Sequence, residues 1–72
     1  MRKYGVVYIA DNYIWDAMVT AKNKKDAEEK IINGCPYYIS KIVLKEISRK
    51  KYYEWVEQIE EQFKQEEQWK SR

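Results

Sequence analysis

The sequence predicts an α+β domain of element order ββαβα. It has a three-stranded antiparallel sheet in the order 2-1-3, one short helix and one long C-terminal helix. Three observations predict this. The stretch "YIADNYIW" (8–15) reads as two strands meeting at a tight turn. Residues 23–34 form a helical pattern closed by Gly34 and Pro36. From residue 48 onward, apolar residues recur at helical spacing.

The first two strands, "KYGVVYIA" (3–10) and "YIWDAMVTA" (13–21), are rich in β-branched and aromatic residues. Asp11 and Asn12 separate them. Both residue types tolerate the positive φ that a type I′ hairpin turn requires. A two-residue loop then sets the register. Ala10 faces Tyr13, Tyr8 faces Trp15, Val6 faces Ala17 and Tyr4 faces Val19, and that face carries no charge. The other face holds Val7, Ile9, Ile14 and Met18, with Gly5, Asp16 and Thr20 among them. A slip of one residue would exchange the two sets. Both faces of the hairpin are therefore apolar, although a lone hairpin needs only one buried face.

"NKKDAEEKIING" (23–34) is the short helix. Asn23 can cap it, with Asp26 three residues on as its capping-box partner. Asp26, Glu28 and Glu29 suit the positive end of the helix dipole. Ala27 and Ile31 make the inward stripe, with Ile32 beside them; Gly34 is the expected C′ residue, and Pro36 blocks continuation. "YYISKIVLKEI" (37–47) is the third strand. A right-handed crossover through the short helix places this strand beside strand 1 and parallel to strand 2. Strand 1 is then central, which suits its nearly unbroken "VVYIA".

"SRKKYYEWVEQIEEQFKQEEQWKS" (48–71) is the long helix, capped by Ser48. Tyr52, Trp55, Val56, Ile59 and Phe63 fall within one stripe of ~100°. The stripe ends at Phe63, and Trp69 lies off its edge. Such a helix spans ~34 Å against ~23 Å for a seven-residue strand, so residues 64–72 are expected to overhang the sheet or fray. The short helix is expected to cover the uncharged face of Val6, Tyr8, Trp15, Ala17 and Val19. The second face is left to the long helix, to another copy or to a partner. Asp16 on that face also guards an edge strand against sheet-to-sheet association.

A chain of 72 residues makes one domain, 1–72. A domain this small buries only ~60% of the surface its unfolded chain exposes. Seven Tyr, three Trp and one Phe are more aromatics than one small core hides, so some are expected on the surface. Mean hydropathy is −0.88, yet 44% of residues are hydrophobic, which argues for folding rather than disorder. The lone Cys35 excludes an internal disulfide and fits a cytoplasmic protein. No apolar run approaches the ~18 residues of a membrane span, so no membrane partner is expected. The start, "MRKYGVVYIADNY", reads as a strand rather than a signal peptide.

Catalytic chemistry is poorly represented. The chain has no histidine, one cysteine and only two glycines, Gly5 and Gly34. A Cys-His pair, a zinc cluster and a phosphate-cradling glycine loop are all excluded. The remaining carboxylates sit in a turn, in a strand or on solvated helix faces. A non-enzymatic protein with no metal and no cofactor is expected.

The charge balance points to binding instead. Residues 1–53 carry 11 Lys and Arg against 6 Asp and Glu, whereas residues 54–72 carry 3 against 6. Three stretches are candidate binding sites. The aliphatic face of Val7, Ile9, Ile14 and Met18 could take a protein partner. The acidic C-terminal helix, with Glu60, Glu61, Glu66 and Glu67, could dock on a basic surface, with Trp69 as an anchor. "SRKKYYEW" (48–55) interleaves Arg49, Lys50 and Lys51 with aromatics, a pattern suited to nucleic acid. Those three cations oppose the helix dipole, at a cost of a few tenths of a kcal/mol each. Cys35, beside Pro36, is expected to be packed or inert.

Residues 4–33, about 40% of the chain, carry two resemblances. "AMVTAKNKKDAEEKI" (17–31) resembles the strand-to-helix junction of small ββαβ proteins of phages and mobile elements of low-GC Gram-positive bacteria, such as the DpnD/PcfM-like group. "YIADNYIWDAMVTAKNKKDAEE" (8–29) is similar to the integrase arm-type DNA-binding domain, in which a hairpin precedes a "TKKEA" helix. Here "NKKDA" (23–27) stands in that place, and the third strand follows the helix rather than preceding it. In style the chain also resembles small phage-encoded inhibitors of host machinery, anti-CRISPR proteins among them. These resemblances imply no functional residue. The resemblance in style implies a steric inhibitor of a host defence protein, such as a CRISPR effector, acting in the host-cell cytoplasm if phage-encoded. The alternative is a small nucleic-acid-binding module using residues 49–55 and sheet lysines, and a homodimer through the aliphatic face is a third expectation.

Overall fold

The computed structural model describes residues 1–66. Its elements are β1 (Arg2–Ala10), β2 (Tyr13–Ala21), α1 (Lys24–Gly34), β3 (Ile39–Glu46) and α2 (Arg49–Glu66). The sheet order is β2-β1-β3, and β1 is antiparallel to both neighbours. This is the ββαβα arrangement that the sequence predicts.

The hairpin turns where expected. Asp11 and Asn12 have φ of 54° and 66°, the left-handed pair of a type I′ turn. The register runs from Ala10 opposite Tyr13 to Arg2 opposite Ala21, with Tyr8 opposite Trp15 and Val6 opposite Ala17. Asn23 Oδ1 accepts the Asp26 N–H at 2.8 Å, and Asp26 Oδ2 accepts the Lys22 N–H at 3.0 Å, which closes the start of α1.

The end of α1 differs from expectation. Gly34 is the last helical residue and no glycine has positive φ. The chain leaves the helix at Cys35, which is extended (φ −101°, ψ 124°) and donates its N–H to the Ile32 carbonyl at 3.3 Å. Pro36 accounts for this, because its ring drives the preceding residue out of the helical region. The third strand is also shorter than expected. It begins at Ile39, opposite Ala10, with a register irregularity there. Beyond Ala10 the hairpin turn carries β1 away, so Tyr37 and Tyr38 have no strand to pair with and are exposed.

Helix α2 covers the aliphatic face. Val7 forms a buried cluster with Tyr52, Trp55, Val56, Ile59 and Phe63, and Ile9, Ile14, Met18, Val43 and Ile47 pack against it. Burying one such large side chain contributes roughly 1.5–3 kcal/mol. Gly5 makes room for the closest approach. A Cβ there would lie 2.8 Å from Trp55 Cζ3 and 3.0 Å from Ile47 Cγ2. Near the end of α2, the Glu66 carboxylate pairs with the Lys41 ammonium, which lies 5.1 Å from the centroid of the Phe63 ring. The helix therefore still engages β3 at Glu66. Residues 67–72, the rest of the expected overhang, lie outside the described residues.

Helix α1 packs on the opposite face, against β2 and β3. Ala27, Ala21 and Tyr4 are buried there, with Val19 and Leu44 beside them. It does not cover the whole uncharged face, as the sequence had suggested. Eleven helical residues span about 16 Å, whereas nine-residue strands span about 30 Å. The end near the hairpin turn, with Tyr8, Tyr13 and Trp15, stays open.

Candidate functional site

Antiparallel pairing gathers cations at the end of the sheet far from the turn. Arg2 and Lys3 open β1, Lys22 follows β2, and Lys45 lies near the end of β3. Arg2 stands opposite Ala21, and Gly5 opposite Lys45. The Ile47 N–H donates to the Lys3 carbonyl at 3.1 Å, which brings the start of α2 to the same end. Arg49, Lys50 and Lys51 form its first turn, where there is no acidic residue. All of these cations are exposed.

Little opposes this charge. Glu46 accepts from Arg2 at 3.0 Å. Among the described residues, no ion pair involves Lys3, Lys22, Lys45, Arg49, Lys50 or Lys51. A shallow concavity opens between Lys3, Glu46, Ile47 and Ser48. The free N–H groups at the start of α2 add partial positive charge. Toward its other end α2 carries exposed Glu57, Glu61 and Glu66, with Glu60 half-buried. The cations of its first turn and most of the carboxylates of its second half thus oppose the dipole of α2, with Lys64 in the last turn as an exception.

The other sequence candidates fare differently. Val7, Ile9, Ile14 and Met18 do not form an open docking face, because α2 lies on them and Val7 is 0% exposed. The stripe from Tyr52 to Phe63 needs an apolar floor, and this is the one within reach. Glu61 and Glu66 are exposed, but Glu66 is engaged with Lys41. Glu67 and Trp69 lie outside the described residues. Asp16 on this face accepts a hydrogen bond from the Tyr52 hydroxyl at 2.7 Å.

One exposed cluster escaped sequence reasoning. Tyr13 is 66% and Trp15 41% exposed. The Tyr8 and Trp15 rings lie 6.5 Å apart at 13°, and the Tyr13 and Trp15 rings 6.4 Å apart at 78°. The Trp15 indole N–H donates to the Ala10 carbonyl at 2.9 Å, folding the ring over the end of β1. Burial pushes the Tyr8 phenol above its usual pKa, helped by the nearby charges of Cys35 and Asp16. Strand alternation put these three rings on one face. The missing signal was the short reach of an 11-residue helix.

Among the described residues, no helix is long and apolar enough to cross a membrane. No protein-family model matches the chain, and neither a curated protein nor a solved structure matches it.

Proposed function

We propose that this chain is a small non-enzymatic binding module that holds the phosphate backbone of a nucleic acid at its basic end. One observation carries the reading. Exposed Arg2, Lys3, Lys22, Lys45, Arg49, Lys50 and Lys51 come from four separate segments and meet at one end, and only Arg2 among them forms an ion pair among the described residues, with Glu46. Like charges gathered this way repel one another, and the three on α2 also oppose its dipole. A polyanion would reverse both penalties. The aliphatic face, the rival docking surface, is occupied by α2. Phosphate contacts carry no base information, so binding is expected to be indifferent to sequence.

The test is fluorescence anisotropy with labelled mixed-sequence DNA and RNA. Four or five phosphate contacts predict a loss of about 10²–10³-fold in affinity between ~50 and ~200 mM salt. Replacing Arg49, Lys50 and Lys51 by Glu should abolish binding. No binding by the wild-type chain at ~50 mM salt would refute the reading.

A protein partner is the second reading, favoured by exposed Tyr13, Trp15, Tyr37 and Tyr38 at the opposite end. Tyr and Trp anchor many protein interfaces. In this reading the chain would act sterically, as a phage or mobile-element inhibitor of a host protein. Loss of a captured partner on Tyr13→Ser with Tyr38→Ser would support it.

A further inference from the structure

We infer that the groove between α1 and the open edge of β3 accepts an extended, acidic segment of a partner polypeptide as a fourth strand. This goes beyond the nucleic-acid reading and uses different residues.

The sheet order leaves β3 paired on one side only. Which of its backbone groups face outward follows from the hairpin. The residues flanking a two-residue turn form a hydrogen-bonded pair, so Ala10, Tyr8, Val6 and Tyr4 bond toward β2. Ile9, Val7, Gly5 and Lys3 then bond toward β3. Two contacts agree with this assignment. The Lys3 carbonyl accepts from Ile47 N–H, and the Ile9 carbonyl accepts from Ser40 Oγ at 3.4 Å. Lys41, Val43 and Lys45 stand opposite Ile9, Val7 and Gly5 and use their groups inward. The N–H and C=O of Ile42 and of Leu44 therefore point away from the sheet, with no protein partner among the described residues.

These groups open into a groove of about 560 Å³, lined by Ile42, Val43 and Leu44 of β3 and by Lys24, Lys25 and Glu28 of α1. A strand added there would lie ~4.8 Å from β3 and beneath the flank of α1. Backbone bonds to Ile42 and Leu44 would supply affinity. The alternation of an added strand would turn every second side chain away from α1, where apolar groups meet the Val43 side of the sheet, and the others toward α1. Carboxylates would meet Lys24 and Lys25, neither of which forms an ion pair among the described residues. Charge chooses among occupants. A second copy docking β3 on β3 would bring Lys24 and Lys25 of both molecules together, along strands that already carry Lys41 and Lys45. An acidic strand removes that repulsion.

The experiment is residue-resolved amide hydrogen exchange with a ten-residue probe peptide alternating Val and Glu, and with its Val–Lys counterpart. The Val–Glu peptide should slow exchange at Ile42 and Leu44 and leave the inward-bonded Val43 nearly unchanged. Replacing Lys24 and Lys25 by Glu should weaken this binding about tenfold or more. That variant places carboxylates in the first turn of α1, where the dipole favours them, so lost binding is not lost folding. Replacing Lys50 and Lys51 by Glu should leave peptide binding unchanged, whether or not the basic end binds nucleic acid. Unaltered exchange at Ile42 and Leu44 with saturating peptide would overturn the inference. So would equal protection by the Val–Lys peptide, or protection that appears without peptide and grows with protein concentration.

Discussion

The Tyr52 hydroxyl donates to Asp16 Oδ1 at 2.7 Å, tying the start of α2 to the edge strand β2. Burial raises the Tyr52 phenol well above its usual value of 10.0, and the bond to Asp16 and its charge raise it further. The folded chain therefore holds this proton at a pH where the unfolded chain has released it. Stability should be level up to about pH 10 and fall above it, because folding must then take up a proton. Tyr8 is shifted in the same direction and should add to the fall. Urea midpoints at about pH 8 and pH 11 test this. Tyr52→Phe should lose about 0.5–1.5 kcal/mol near neutrality and flatten part of the alkaline drop, with Tyr8→Phe removing more. Equal midpoints at both pH values in the wild-type chain would contradict the assignment.

Gly5 should resist any side chain. A Cβ would lie 2.8 Å from the Trp55 ring and 3.0 Å from Ile47 Cγ2, and Trp55 is itself buried, so relief needs the packing of α2 to shift. Gly5→Ala is expected to cost about 1–3 kcal/mol, the usual penalty of an overfilled core. The emission of Trp55 should shift with it. A neutral midpoint would mean that α2 can lift off β1 freely.

The turn offers a change in the opposite direction. Asn12 sits at φ 66°, where only glycine is free of steric cost. Asn12→Gly should stabilise the domain by about 0.5–1 kcal/mol, and Asn12→Val should destabilise it by more than that. Thermal unfolding of the two variants separates them. The same order for both would exclude a type I′ turn.

The basic end predicts a trade between stability and binding. Replacing Arg49, Lys50 and Lys51 by Glu removes cations from the positive end of α2 and puts carboxylates there. Each exchange should stabilise the helix by about 0.3–1 kcal/mol at low salt, while nucleic-acid affinity is lost. Chemical denaturation beside the anisotropy titration reads both at once. A variant that lost stability together with binding would show that these cations hold the fold rather than a ligand.

Much of the architecture is written in local pattern. The φ values at Asp11 and Asn12, the register of Tyr8 against Trp15 and the buried stripe from Tyr52 to Phe63 all follow from residues close in sequence. A period of two or of 3.6 places each side chain on a face without reference to the rest of the chain. The cap at Asn23 is local in the same way. The candidate sites were less legible. Arg49, Lys50 and Lys51 stood out as cations at the wrong end of a helix. Lysines of the sheet were expected beside them without being named, and the strand ends that meet there make them Lys3 and Lys45.

The sequence by itself determined the elements, their order, the hairpin register and the two faces of each strand, since these rest on alternation and turn chemistry within a few residues. Only the tertiary structure decided what covers each face. It seated α2 on Val7 and Gly5, gave Asp16 a partner 36 residues away, and left Trp15 and the β3 edge open. Those outcomes turn on how far an 11-residue helix reaches across nine-residue strands and on which segments meet in space. No periodicity within a single segment encodes either quantity.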